Sequence, residues 1–196
     1  KEDVYVKMAA RIYETSEDQI TKDQRFVGKT TILGAGYGMG AVKFQAQLKS
    51  FGTDISLAEP RRIIHIYRDA NWKISHVWRE AQHMVAAMER GDSYQFGKKG
   101  VIEVIGNREA IRLPSKLLMR YQDLRGERNA QGTEYSYKTR NGRTRIYGGK
   151  VIENVCQALA RCVIGDQMLL INNKYRAVLT VHDSVIACVP ESEAEE

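Results

Sequence analysis

A glycine-rich stretch near the start of the sequence is the feature that most restricts the fold. Residues 25–40 read RFVGKTTILGAGYGMG, and glycine occupies every second position from 34 to 40. A phosphate-binding loop needs a glycine five residues before its Gly-Lys pair, because the backbone N–H groups of that loop wrap the phosphates. The residue five positions before Gly28 is Asp23, so this kind of loop is excluded.

A dinucleotide-binding fingerprint is a second interpretation of the same stretch. Gly36, Gly38 and Ala41 match the pattern G-x-G-x-x-A. That fingerprint requires residues 30–33 to form a β-strand, followed by a parallel sheet. A dinucleotide-binding oxidoreductase therefore stays open as an alternative at this point.

A helix is the third interpretation, in which Arg25 and Lys29 lie one turn apart on one face. Leu33 and Tyr37 continue that face toward the C-terminal end. Two cations near a helix N-terminus, an apolar middle and an aromatic end suit a nucleoside triphosphate, because cations and the helix dipole attract phosphates. We predict that residues 25 to about 43 are mainly helical, with Arg25, Lys29 and Leu33 on one exposed face. A solvated Arg–Lys pair is the structural alternative.

The rest of the sequence alternates between helical spacing and short strand-like runs. Apolar residues recur every three or four positions in residues 3–13, 61–89 and 152–170, which predicts helices. Runs of β-branched or aromatic residues predict strands at residues 101–105, 110–113 and 134–137, and a hairpin at residues 177–189 that turns around His182-Asp183-Ser184. The pattern predicts an α+β chain.

The composition favours an anionic partner. The 196 residues include 30 Lys and Arg against 24 Asp and Glu, which gives a net charge of +6 and a pI near 9.2. No run of 18 apolar residues occurs, so no membrane partner is predicted. The three cysteines form no C-x-x-C pair, which argues against a disulfide framework or a zinc site and indicates a reducing, cytoplasmic location.

Four segments resemble known polymerases, in the same order along the chain. Arg25-x3-Lys29-x7-Tyr37-Gly38 resembles motif B of the single-subunit polymerases, and Val181-His182-Asp183 resembles their motif C. Residues 1–5, KEDVY, are similar to a stretch of family A DNA polymerases. Residues 147–161, YGGKVIENVCQALAR, resemble a segment of the phage-type members of that family, as does the β-rich region before it.

The resemblance implies the right-hand fold of a polymerase. Residues 1–146 would form α-rich fingers with a β-rich hairpin insertion at about residues 97–146. Residues 147–196 would form part of the palm, with a helix and the β-hairpin of motif C. The implied activity is template-directed DNA synthesis by two-metal nucleotidyl transfer, in the cytoplasm of a bacterial or phage-infected cell.

The resemblance also assigns roles to particular residues. Asp183 would hold the Mg²⁺ cofactor, and Lys29 would act in catalysis on the triphosphate. The residues that would bind the nucleotide are Tyr5, Arg25, Lys29, Leu33 and Tyr37. Leu33 stands where the family usually has Phe or Tyr, and Tyr5 stands where it often has histidine. The residues that would contact DNA are Gly38, Arg143, Arg145, Asn154, Gln157 and His182, with the basic run from Lys138 to Lys150 along the phosphates.

The implied partners are primer–template DNA and deoxynucleoside triphosphates, bound by a monomer. A second metal-binding aspartate, that of motif A, is expected upstream of Asp3, so we expect the chain to be an incomplete catalytic fragment. The triplet His182-Asp183-Ser184 also resembles single-subunit RNA polymerases, which stay an alternative. A nucleic-acid-binding module without catalysis, in which Asp183 is an ordinary turn residue, is another.

Overall fold

The computed structural model describes residues 2–52, 56–130 and 132–194, and it combines helices with antiparallel β-structure. Lys1, part of the KEDVY stretch, lies outside the described residues. The helices are α1 (Val4–Tyr13), α2 (Lys22–Ala35), α3 (Ala41–Ser50), α4 (Ala58–Ala70), α5 (Trp72–Glu89) and α6 (Gly148–Asn172). The strands are β1 (Tyr94–Phe96), β2 (Ile102–Ile105), β3 (Ala110–Arg112), β4 (Leu118–Arg120), β5 (Arg125–Asn129), β6 (Gly132–Thr139), β7 (Gly142–Ile146), β8 (Arg176–Val181) and β9 (Ser184–Cys188). This content confirms the predicted α+β class.

The first two helices begin at side chains that satisfy free backbone N–H groups. Asp3 Oδ1 accepts hydrogen bonds from the N–H groups of Tyr5, at 2.9 Å, and Val6, at 3.2 Å. Thr21 and Gln24 form a capping box, in which each side-chain oxygen accepts a bond from the other residue's N–H. Such caps fix where a helix starts, and here they set the starts of α1 and α2.

Helices α1 to α4 share one hydrophobic core. Its buried members include Ile12 of α1, Val27 of α2, Phe44 and Leu48 of α3, and Tyr67 of α4. Because α2 buries only one side in this core, its opposite side is left exposed.

Gly28 lets α1 and α2 approach each other closely. A Cβ atom at this position would lie 2.2 Å from the carbonyl oxygen of Tyr5 and 3.0 Å from the backbone nitrogen of Ala9. Any residue other than glycine would therefore push the two helices apart.

The β-rich region builds a second core. Strands β1 to β4 form one antiparallel sheet in chain order, and β5 to β7 form another. They pack with α5 and the start of α6 in a cluster that includes Met84, Met88, Ile111, Ile146 and Val155. The predicted boundary between residues 146 and 147 runs through this cluster, and the β-rich region begins at Tyr94, slightly before residue 97. The division into fingers and palm stays a prediction.

The prediction that residues 25 to about 43 are mainly helical is confirmed, but the segment is two helices and not one. Helix α2 ends at Ala35, residues 36–40 form a turn, and α3 starts at Ala41. Gly38 has a φ of +81°, which a helix cannot accommodate and which glycine adopts without strain. Tyr37 and Gly38 therefore lie in a loop beyond the helix.

The predicted helix over residues 61–89 is two helices, α4 and α5, that break at Asn71. The Asn71 side-chain amide donates to the carbonyl oxygen of Tyr67 at 2.9 Å, and its backbone has a ψ of 42°. Asparagine competes with regular helix bonds in this way, so it ends α4 without a glycine or proline. The predicted end at Gly91 is confirmed, since α5 stops at Glu89.

The last two elements are a long helix and a hairpin. Helix α6 confirms and extends the helix predicted over residues 152–170. Strands β8 and β9 pair antiparallel around His182 and Asp183, and Ser184, paired with Val181, already belongs to β9. No helix within the described ranges is long and apolar enough to cross a membrane.

Candidate functional site

The predicted binding face of α2 is present and exposed. Arg25, Lys29 and Leu33 are all exposed, and Leu33 keeps 48% of its surface open to solvent. Thr30 and Thr31 are buried on the other side, where their hydroxyls donate to the carbonyl oxygens one turn earlier at 2.9 and 2.8 Å. Residues 30–33 are helical, so the strand that a dinucleotide fingerprint requires is absent from this place.

Arg25 is held in position by the start of α1. Its Nε donates to Asp3 Oδ2 at 2.8 Å, and its guanidinium carbon lies 5.3 Å from the ring centre of Tyr5. The hydrogen bond from Arg25 lowers the pKa of the Asp3 carboxyl below its usual value. Asp3 therefore caps α1 with one oxygen and orients Arg25 with the other, which brings Tyr5 and Arg25 together.

Lys29 differs from Arg25 in the surroundings of its charged group. Among the described residues, none forms a hydrogen bond or ion pair with it. An exposed ammonium one turn from an oriented guanidinium can bind a polyphosphate without first breaking an internal ion pair.

The loop after α2 contacts the start of α6. The Tyr147 hydroxyl donates to the carbonyl oxygen of Tyr37 at 3.3 Å. A Cβ atom on Gly38 would lie 3.2 Å from the Tyr147 ring, and one on Gly149 would lie 3.1 Å from the Tyr37 carbonyl oxygen. Glycines on both sides therefore let the two backbones meet.

A cavity of about 420 Å³ lies beside this contact. Leu33 and Tyr37 line it from α2 and its loop, and Arg145 and Lys150 line it from β7 and α6. The structure thus brings residues predicted to bind nucleotide and residues predicted to bind DNA into one cavity. Asp183, by contrast, is not among the described residues that line it.

Two arginines predicted to contact DNA are already paired within the protein. Arg143 donates to Asp123 and Ser136 through four hydrogen bonds of 2.7 to 3.1 Å. Arg145 forms an ion pair with Glu134. Arg140 is exposed at the turn between β6 and β7, with no ion pair to any described residue, so its charge is more available than theirs.

The predicted polar pair of α6 is also engaged. Asn154 Nδ2 donates to the Tyr121 hydroxyl at 3.1 Å, and burial raises the pKa of Tyr121 to about 12, so its phenol stays neutral. Gln157 is exposed and donates to Glu153 at 3.3 Å. Asn154 therefore supports the core at α6, while Gln157 is the more accessible of the two.

Asp183 lies at the exposed tip of the β8–β9 hairpin. Beside it, His182 is exposed and adopts a φ of +53°. Magnesium is held by one or two carboxylates together with phosphate oxygens and water, so one exposed carboxylate fits as a ligand. Across the described ranges, no group of three or more His, Cys, Asp or Glu side chains is placed to hold a metal. Asp183 therefore suits the role of one ligand and does not form a complete site.

Two residues that shape the site are not predicted by sequence reasoning. In the sequence, Gly28 is considered only as part of a phosphate-binding loop. Its close approach to the Tyr5 carbonyl oxygen cannot be predicted from the neighbouring residues. Tyr147 belongs to a motif, but its position between α2 and α6 depends on pairing across 110 residues.

Comparison with known proteins agrees with the motifs. The chain is similar to the DNA polymerase of Bacillus phage SP02, with 30% identity over 207 aligned positions that include 98% of this chain. The chain spans 31% of the length of that relative. No protein-family model matches it.

Proposed function

We propose that this chain is the nucleotide-binding fingers and part of the palm of a DNA polymerase, of the phage-type family A class. The observation that carries the proposal is the exposed face of α2, where Arg25, Lys29 and Leu33 lead toward the cavity beside Tyr37. The similarity to a phage DNA polymerase over nearly the whole chain supports it.

In this proposal each residue of the face has a separate task. Lys29 and Arg25 contact the triphosphate of an incoming deoxynucleotide, and Arg25 is oriented beforehand by Asp3. Leu33 packs against the sugar, and Tyr37 borders the templating base. Preorganised cations stabilise the charge that develops on phosphoryl oxygens during transfer, without reorganising at that moment.

Asp183 would hold Mg²⁺ at the tip of the hairpin, together with phosphate oxygens and a further carboxylate. Bound there, Mg²⁺ would neutralise charge on the phosphates and lower the pKa of the attacking hydroxyl. The positively charged segment around Arg140 would lie along the phosphates of the primer–template. The protein would act as a monomer in the cytoplasm.

Replacing Lys29 tests this proposal. In the full-length polypeptide, Lys29→Gln should raise the KM for deoxynucleotides or lower kcat/KM roughly 10- to 150-fold, the range expected for one hydrogen bond to a charged group. Lys22→Gln is the matched control, because Lys22 is an exposed lysine two turns earlier on the same helix. Equal kinetics for the two variants would contradict the assignment of Lys29, and no deoxynucleotide incorporation by the unaltered protein would contradict the proposed function.

A further inference from the structure

A second cavity, of about 330 Å³, shares Tyr147 with the first. Two arginines from different helices line it, Arg68 at the end of α4 and Arg79 in the middle of α5. Gly38, Tyr147 and Gly149 line it as well, together with residues of α5. Of the described residues that line it, none carries a carboxylate, so the cavity is positively charged.

Neither arginine is neutralised by its acidic neighbour. Asp69, next to Arg68, pairs with His65 at 3.3 Å. Glu80, next to Arg79, faces His76 at 3.9 Å. Within the described part of the chain, neither guanidinium has a hydrogen-bond or ion-pair partner, and both residues are exposed. Their donors are therefore free to bind an anion.

Two further donors on the same stretch of α5 lack an acceptor. Ser75 Oγ and Trp78 Nε1 are buried and have no hydrogen-bond partner among the described residues. Both residues also line this cavity. Buried polar groups without a partner are uncommon in folded proteins. What the cavity offers to a ligand is two exposed guanidinium groups and no carboxylate, which is the chemistry that phosphate oxygens require.

We propose that Arg68 and Arg79 bind a backbone phosphate of single-stranded nucleic acid. This inference rests on the proposed function, because it places the unpaired template strand in this second cavity, which shares Tyr147 with the nucleotide cavity. Tyr147 lines both cavities and leaves 43% of its surface exposed, so a base can stack on it while the next phosphate reaches the arginines.

Three glycines, Gly38, Gly148 and Gly149, line the cavity, and because they have no side chains a nucleic-acid strand can approach the backbone there. Gly148 is fixed against α5, since its N–H donates to Gln82 Oε1 at 2.8 Å and a Cβ there would lie 1.9 Å from the Trp78 carbonyl oxygen. Gly148 therefore brings the start of α6 against α5 without a side chain between them, next to the cavity that both elements line. A recess of this kind suits a single strand, whose bases are free to stack, more than a duplex, whose bases are already stacked.

The test measures binding of a fluorescent oligo-dT of about 12 nucleotides to the 196-residue chain between about 50 and 300 mM salt. The double variant R68Q/R79Q should bind at least roughly tenfold more weakly. Its slope of log affinity against log salt should be less steep by about 0.7 to 1.4, which corresponds to the loss of one or two phosphate contacts. The affinity of R68Q/R79Q for a blunt duplex of equal length should fall no more than the affinity of the control variant described next.

The matched control is R61Q/K73Q, which removes two positive charges from the same two helices outside the cavity. Its affinity for oligo-dT should fall less than about threefold, and both variants should melt within about 2 °C of the unaltered chain because all four residues are exposed. Equal losses in the two variants would overturn the site, and an equal loss for duplex would overturn its assignment to a single strand. If the unaltered chain bound no DNA of either kind, the proposed function itself would be contradicted.

Discussion

The guanidinium of Arg143 joins three parts of the β-rich region. Its hydrogen bonds reach Ser136 on β6 and both the side chain and the backbone of Asp123, in the loop before β5. A guanidinium has about five N–H donors, so these four bonds leave one free. At the scale of the residue, Arg143 is therefore a structural link first, and its predicted contact with DNA stays a prediction.

Replacing Arg143 should lower stability more than it lowers DNA affinity. Arg143→Ala should reduce Tm by roughly 4–8 °C, because several hydrogen bonds between β7 and its neighbours are lost. Arg140→Ala, which removes an exposed arginine from the adjacent turn, should leave Tm within about 1 °C and weaken DNA binding more than Arg143→Ala does. Thermal melting and DNA titration of both variants check this. A fully stable Arg143→Ala would contradict the structural role.

At the scale of the element, two helical glycines differ in whether their surroundings leave room for a side chain. Gly28 of α2 is in tight contact with the α1 backbone, whereas a Cβ atom on Gly165 of α6 would meet no neighbouring residue within 4 Å. Helix propensity alone predicts that alanine stabilises both positions. Packing reverses this at Gly28 only.

Alanine substitutions at these glycines should therefore change stability in opposite directions. Gly28→Ala should lower the free energy of unfolding by about 1–3 kcal/mol, because the helices must separate to admit the methyl group. Gly165→Ala should raise it by about 0.5–1 kcal/mol. Chemical denaturation of both variants measures the two values. A Gly28→Ala variant as stable as the parent would show that α1 and α2 are not in close contact.

The elements that the sequence predicts well are those with long periodic patterns. Helices α1 and α6 are predictable because several turns of apolar spacing identify them, and the hairpin because its two apolar runs flank a polar turn. Strands β1 and β4 have three residues each, which is too short for alternation to be distinctive, and they are not predicted. Strand β3 is equally short but is predicted at residues 110–113, where an apolar run lies between turn residues.

The end of α2 shows why boundaries are harder. Spacing predicts the face from Arg25 to Leu33, and the structure confirms that it is exposed. Spacing alone does not predict the stop at Ala35, because it continues the same face to Tyr37. The four glycines at positions 34, 36, 38 and 40 weaken the helix there, and Gly38 adopts a positive φ in the loop that contacts Tyr147.

At the scale of the whole molecule, exposed ion pairs extend from one end of the described chain to the other. Hydrogen bonds with Lys7, Arg25, Arg125 and Lys174 lower the pKa values of the carboxyls of Glu2, Asp3, Asp123 and Glu193. A carboxyl whose pKa is lower in the folded state adds stability above its unfolded pKa, near 4, and loses it as the pH falls through the folded value.

Tm should therefore fall as the pH is lowered from about 5 to 3. The fall should be smaller in about 1 M salt, because salt screens exposed pairs. Asp123→Asn should melt at a lower temperature than the parent at pH 7 and approach it at pH 3, since only the parent loses that charge. Melting curves at several pH values check this, and a parent whose Tm is constant down to pH 3 would contradict the role of these pairs.

The central claim is that the face on α2 and the carboxylate at the hairpin tip belong to one DNA polymerase. Primer extension by the full-length polypeptide that contains this chain tests it most directly, with Asp183→Asn compared against Asp166→Asn, an exposed aspartate on the adjacent helix α6. The amide keeps the shape of the carboxyl and removes the charge that would hold the metal. Asp183→Asn should slow extension roughly a thousandfold while DNA affinity stays within about twofold, and Asp166→Asn should extend normally. Full extension by Asp183→Asn would contradict the account.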